Sequence, residues 1–196
     1  MFVTLTFTTA LATPPGDEAT WDTVRDDIVH IECTEQGKDF WCRADGVVAA
    51  APDAVLKTLQ NMPSHQEKFE LVRSIVDLGD DTLHITIDYP SVFSDRDYVA
   101  KYTHTTDGDV HQIAWAPVVH ADAPPVKGTV RLERFEGAWR LSPTAGGTAV
   151  RYVWHADPGG SFPGWAKPLA RKRAGHEAIK DLAAAQGTTL VARSTE

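Results

Sequence analysis

Two runs of residues, PSVFSDRDY at 90–98 and DPGGSFPGW at 157–165, constrain this chain more than any other feature. Between them apolar and polar residues alternate, the pattern of successive strands with one buried and one wetter face. After the second run comes one long amphipathic segment. The first run joins two strands through a short loop that carries Val92 and Phe93 at its tip and Asp95, Arg96 and Asp97 at its exit. The second turns a strand into the last helix, with Pro163 suited to a first helical position. Two such junctions at the same end of a curved sheet make a mouth.

The chain has 196 residues, 42% of them hydrophobic, and six Trp, enough for one sizeable core with little left for a second domain. Its formal charge of -8, with no basic block ahead of the last helix, argues against a phosphate-tracking surface, so no nucleic-acid partner is expected. Lys167, Arg171, Lys172 and Arg173 in that helix suit anionic lipid head groups and a transient membrane-surface contact, and suit an ordinary solvated helix face as well. No apolar run approaches the roughly 18 residues needed to span a bilayer.

The N-terminus, MFVTLTFTTALA, is short, uncharged and moderately apolar, and a Pro-Gly-rich segment follows it. It resembles the end of a secretion signal, and reads equally as a flexible or edge-strand terminus. The expected organisation is a signal remnant or flexible start over 1–16, one domain over 17–187 and a tail over 188–196. Cys33 and Cys42 flank a turn centred on Gln36-Gly37-Lys38, and in a hairpin folded midway between Gly37 and Lys38 they lie directly opposite. A non-hydrogen-bonded cross-strand pair approaches disulfide geometry, which suits a periplasmic or secreted location; a reducing cytosol would leave two buried thiols.

Along the chain, Trp21, Val24 and Ile28 fall at helical spacing, predicting a short first helix over 17–27. Strands are expected over 28–34, 40–44 and 47–50, then a helix opened by Pro52 and a short helical or irregular piece over 65–68. Leu83, Ile85, Ile87 and Tyr89 alternate with His84, Thr86 and Asp88. Further strands are expected over 97–105, 110–117, 128–141 and 148–155, all antiparallel. The last helix should run from Pro163 to about Gln186, closed by Gly187, with a kink or restart at Pro168. Trp165, Leu169, Lys172, His176, Ile179 and Ala183 share one of its faces.

This order, and three motifs within it, carry a resemblance to a known family. Ser94-Asp95-Arg96-Asp97-Tyr98-Val99 resembles the strand-opening signature of START domains, the steroidogenic acute regulatory protein-related lipid-transfer family. Lys127-Gly128-Thr129-Val130-Arg131 and the run from Asp157-Pro158-Gly159-Gly160 to Pro163-Gly164-Trp165 resemble two other signatures of that family. The resemblance implies the α+β helix-grip fold of the Bet v 1-like superfamily. In it a curved antiparallel sheet of about nine strands wraps a long C-terminal helix, with two short helices after the third strand. The acidic partner that some family members place opposite the late-strand arginine is not identifiable in the sequence.

A sheet gripping one helix leaves an apolar space between them, which implies binding and transfer, or sensing, of a lipid or other hydrophobic small molecule without catalysis. The candidate walls are Tyr89, Tyr98, Tyr102, Trp115, Trp139, Tyr152 and Trp154 on strands, with Trp165, Leu169 and Ile179 on the helix; for each the alternative is plain core packing. Arg96 and Arg131 are the charged candidates, each needing a carboxylate or a ligand head group, and for Arg96 the adjacent Asp95 and Asp97 suggest a loop clamp. His176 is a further polar candidate. Val92 and Phe93, facing Phe162 and Trp165, are expected to gate the entrance. No catalytic set, cofactor or metal is assigned, because the cluster at 94–97 lacks a nucleophile, base and orienter, and His104, His111 and His120 match no established metal spacing. The alternative is an aromatase or cyclase acting on polyketides, with His176, Arg131 or a tyrosine as acid or base.

Overall fold

The computed structural model describes residues 14–89 and 92–192. The secretion-signal reading of the N-terminus falls outside the described residues, as do Pro90 and Ser91 of the first junction.

A single sheet dominates. Its strands are β1 (Asp22–Asp26), β2 (His30–Gln36), β3 (Asp39–Val48), β4 (Val72–Asp77), β5 (Thr82–Ile87), β6 (Arg96–Asp107), β7 (Val110–Pro117), β8 (Val130–Arg131), β9 (Phe135–Thr144), β10 (Gly147–Ala156) and β11 (Leu190–Val191). Nine of them follow the path β1-β2-β3-β10-β9-β7-β6-β5-β4, while β11 pairs with β3 and β8 pairs with β6. The β3–β10 pairing joins the first and last thirds of the chain, with Thr148 opposite Val48 and His155 opposite Trp41. Neighbours along the path are antiparallel; β8 alone runs parallel to its partner among the described strands.

Two helical pieces follow β3. Helix α1 (Pro52–Gln60) starts at a proline after the extended residue Ala51, and a 3-10 segment, Met62–Lys68, succeeds it. The last helix, α2 (Lys167–Ala185), is preceded by a 3-10 turn at Gly164–Ala166, so the chain restarts its helix with Pro168 in the first turn, where a missing N–H costs nothing. Ile179, Leu182 and Ala183 of α2 are buried against Val29, Ile31, Ala44 and Val48 of the sheet side. The helix approaches β3 closely at Gly46, where an added methyl would lie 2.8 Å from Ile179 Cγ2.

Three local expectations are corrected. Residues 17–27 form no helix: β1 lies there and pairs with the edge of β2, leaving Val24 and Ile28 39% and 42% exposed, so the supposed apolar face has nothing to bury. The strands expected over 40–44 and 47–50 are one continuous β3, because Asp45 and Gly46 remain in register with Arg151 and Val150 across the ladder. The strand expected over 128–141 is broken, since β8 turns to pair with β6 and Leu132 N donates to Asp97 O before β9 begins. The cysteine expectation holds: Cys33 and Cys42 are opposed in the β2–β3 register and joined by a disulfide.

Candidate functional site

Between the inner face of the sheet and α2 lies a cavity of about 400 Å³, with a smaller lobe of about 130 Å³ beside it. Tyr89, Tyr98, Trp115, Tyr152, Phe162 and Ala174 border both lobes. All four tyrosines of the chain reach the main cavity, because Tyr98 and Tyr102 share the inner face of β6 at period-two spacing and Tyr152 lies across the sheet on β10. Tyr152 is the centre of an aromatic floor. Its ring stacks on Trp115 at 5.6 Å and on Trp154 at 4.7 Å, and meets Trp139 at 4.3 Å. Burial pushes the Tyr89, Tyr98, Tyr102 and Tyr152 hydroxyls above the usual phenol range, so they stay neutral hydrogen-bonding groups at physiological pH.

The opposite wall is made of small residues. Ala166, Ala170, Ala174 and Ala178 recur every fourth residue along α2 and its preceding turn, and all four line the cavity. Bulkier residues at these places would fill the space that the sheet's curvature leaves. This alanine ladder is the signal in the sequence for the wall: the stripe through Trp165, Leu169 and Lys172 points to large residues, whereas a helix beside a cavity presents its small ones. Met62, Phe69, Leu71, Val72 and Ile87 complete the apolar lining and were likewise not anticipated.

At the mouth, Phe93 meets Phe162 with ring centroids 4.9 Å apart, and Tyr89 meets the same ring edge-on at 5.7 Å. Val92, Trp165 and Leu169 form the outer rim and are 79%, 77% and 67% exposed. Arg96 holds this region from beneath. It is buried, donates Nε to Pro158 O at 2.9 Å, donates Nη1 to Ser94 O, and lies 4.5 Å from the Tyr89 ring centroid. Carbonyl dipoles and aromatic faces thus compensate its charge. The loop-clamp expectation therefore needs a correction in its partners, since Asp95 binds Arg73 and the Tyr89 N–H instead.

Of the sequence-derived candidates, Tyr89, Phe93, Tyr98, Tyr102, Trp115, Trp139, Tyr152, Phe162, Trp165 and Leu169 border the main cavity, and Trp154 the smaller lobe. Four do not reach it. Arg96 is the clamp just described. Ile179 is fully buried beneath Gly46. His176 sits away from the cavity near Arg25 and Asp27, its Nδ1 buried without a hydrogen-bond partner among the described residues, where burial lowers its pKa. Arg131 faces away from the cavity: Nε and Nη2 donate to Asp97 Oδ2 at 2.9 and 2.5 Å, and Nη2 also donates to Ala123 O. Strand alternation explains this, since Asp97 and Tyr98 point to opposite faces of β6. Asp97 is thus the buried acid opposite the late-strand arginine, and Thr129 and His84 bind it as well.

No profile of a known protein family matches the sequence. An uncharacterized protein of Pseudomonas aeruginosa is 37% identical over 82 residues, which are 40% of this chain and 40% of that protein. The chain therefore matches well under half the length of this curated relative. Solved structures are similar over most of the chain. A STAR-related lipid transfer protein fragment from Xanthomonas axonopodis superposes with a TM-score of 0.75 at 25% identity, covering 86% of this chain and 99% of that one. Human StAR-related lipid transfer protein 5 gives a TM-score of 0.73 at 17% identity over 87% of this chain and 88% of that one. The Zhui aromatase/cyclase from a Streptomyces species gives 0.50 at 12% identity over 75% of this chain and 91% of that one.

Proposed function

We propose that this chain, whose fold is that of START-type helix-grip domains, binds and transfers, or senses, a lipid or other hydrophobic small molecule without catalysing a reaction on it. The observation that carries the reading is the pair of adjoining cavities whose walls are four tyrosines, four tryptophans and a ladder of alanines. Its volume of about 400 Å³ falls in the usual range of small-molecule pockets, roughly 300–1,000 Å³. A ligand burying on the order of 300 Å² of apolar surface would gain roughly 7 kcal/mol before the cost of its own ordering.

A shielded ligand must also leave, so the proposal includes a gate at Phe93 and Phe162. The exposed rim of Val92, Trp165 and Leu169, beside Lys167 and Lys172, suits transient contact with a membrane interface when the gate opens. The catalytic alternative has lost two of its acid–base candidates, because Arg131 and His176 lie away from the cavity.

Organic extraction and mass spectrometry of the purified protein, followed by transfer of a labelled lipid between donor and acceptor vesicles, tests the reading. Co-purified lipid and saturable transfer are expected. Lipid-free protein without transfer, together with turnover of a poly-β-keto substrate, would replace the carrier by the cyclase.

A further inference from the structure

The main cavity is apolar along most of its wall, yet one buried carboxylate reaches it. Among the described residues, four charged ones border the cavity: Asp88, Arg173, Glu177 and Asp181. Asp88 is exposed to solvent. Arg173 donates Nη2 to Glu70 at 2.8 Å, and Glu177 accepts from Lys180 Nζ at 2.6 Å. Asp181 differs from all three. It is 6% exposed, and its Oδ2 accepts the Glu70 N–H at 2.7 Å. That leaves Oδ1 with no hydrogen-bond partner among the described residues.

A carboxylate has about four acceptor sites, and Oδ1, which is not sealed off within the protein, is open to a donor carried by a ligand; an apolar ligand covering it would leave it unpaired. Burial pushes the Asp181 carboxyl above its ordinary range, while the Glu70 N–H works in the opposite direction. Asp181 also stands at a meaningful place. It continues the wall begun by Ala170, Ala174 and Ala178, and lies about 18 Å along the helix axis from Leu169 at the mouth, at 1.5 Å per residue. A long ligand that enters past Phe93 with its polar end leading would bring that end to Asp181 and leave its apolar end against the aromatic rim.

We propose that Asp181 recognises the polar end of the ligand, accepting a hydrogen bond on Oδ1 from a hydroxyl, amide N–H or ammonium group. Lipids whose polar end offers only acceptors, such as ionised fatty acids and simple esters, are discriminated against because they leave Oδ1 unpaired or repel it. Lys180 does not relieve this, since its ammonium is held by Glu177 and Glu70. The assignment deepens the carrier reading and rests on it.

Displacement of the fluorescent probe 1-N-phenylnaphthylamine from the full chain by decanol, decylamine, decanoate and methyl decanoate separates the two. With equal alkyl bodies, decanol and decylamine should displace the probe at about tenfold lower concentration than decanoate or methyl decanoate. Asp181→Asn keeps a carbonyl oxygen for the Glu70 N–H and should bring the four midpoints to within about threefold. Equal midpoints in the wild type, or wild-type selectivity in Asp181→Asn, overturn the role of Asp181 and leave the carrier intact. If the variant melts early, the wild-type series still decides: a methyl decanoate midpoint at or below that of decanol overturns the assignment. Failure of the probe and every displacer to bind overturns the carrier reading and this inference together.

Discussion

Phe93 and Phe162 meet across the mouth of the cavity with ring planes inclined at 46°, so the loop after β5 is fastened to the segment leading into α2 by aromatic contact. The Arg96 guanidinium lies 5.2 Å from the Phe162 ring centroid and keeps that ring in place from the inner side. The outer residues of the same junction remain in solvent.

If this contact is the gate, tying it should alter rates and leave equilibrium alone. Phe93→Cys combined with Phe162→Cys, once oxidised, should slow uptake and release of a fluorescent lipid severalfold, with preloaded protein keeping its occupancy. Exchange equally fast in oxidised and reduced protein would move the entrance elsewhere.

The alanine ladder predicts a cavity that a single side chain can fill. Ala174 borders both lobes, so Ala174→Phe should reduce lipid binding at least tenfold while leaving the melting temperature unchanged or raised. Undiminished binding in a folded variant would place the ligand outside this space.

Arg131 and Asp97 form a buried pair on the outer face of the sheet. Burial acts to raise the Asp97 pKa, but hydrogen bonds from Arg131, Thr129 and His84 outweigh it and hold the carboxyl below its ordinary range. Because the folded value is depressed, the stabilisation is present above the unfolded pKa of about 3.9 and lost as the pH falls through the folded value. Arg131→Leu should therefore cost about 3 kcal/mol at neutral pH, the lower end for a broken buried pair because Arg131 keeps some solvent contact. It should also flatten the loss of stability below about pH 4, and leave lipid selectivity unchanged. Urea melts at several pH values check this, and unaltered stability in the variant would contradict the pairing.

The Cys33–Cys42 bond closes a loop spanning a sequence separation of nine. Chain-entropy arguments for a loop of this size put its contribution at about 2–3 kcal/mol. Reduction, or Cys33→Ala with Cys42→Ala, should lower the urea midpoint accordingly, and protein made in an oxidising compartment should show no reactive thiol until reduced.

Much of this molecule is legible in the residues alone, for identifiable reasons. Side-chain alternation and turn residues are local, so β5, β6, β7 and β10 follow from the pattern, and hairpin symmetry about Gly37 and Lys38 alone opposes the two cysteines. The three recurring motifs order those elements into the helix grip. What local pattern cannot encode is which face of a strand meets empty space and which meets another layer. Tyr98 and Asp97 are neighbours, yet one borders the cavity and the other is sealed beneath the segment that carries Arg131. A similar limit misdirected the helix. Large apolar residues at 165 and 169 suggested an inward stripe, whereas a wall beside a cavity is made by the residues that do not fill it, and only the placement of α2 over the sheet turned four alanines and Asp181 into that wall.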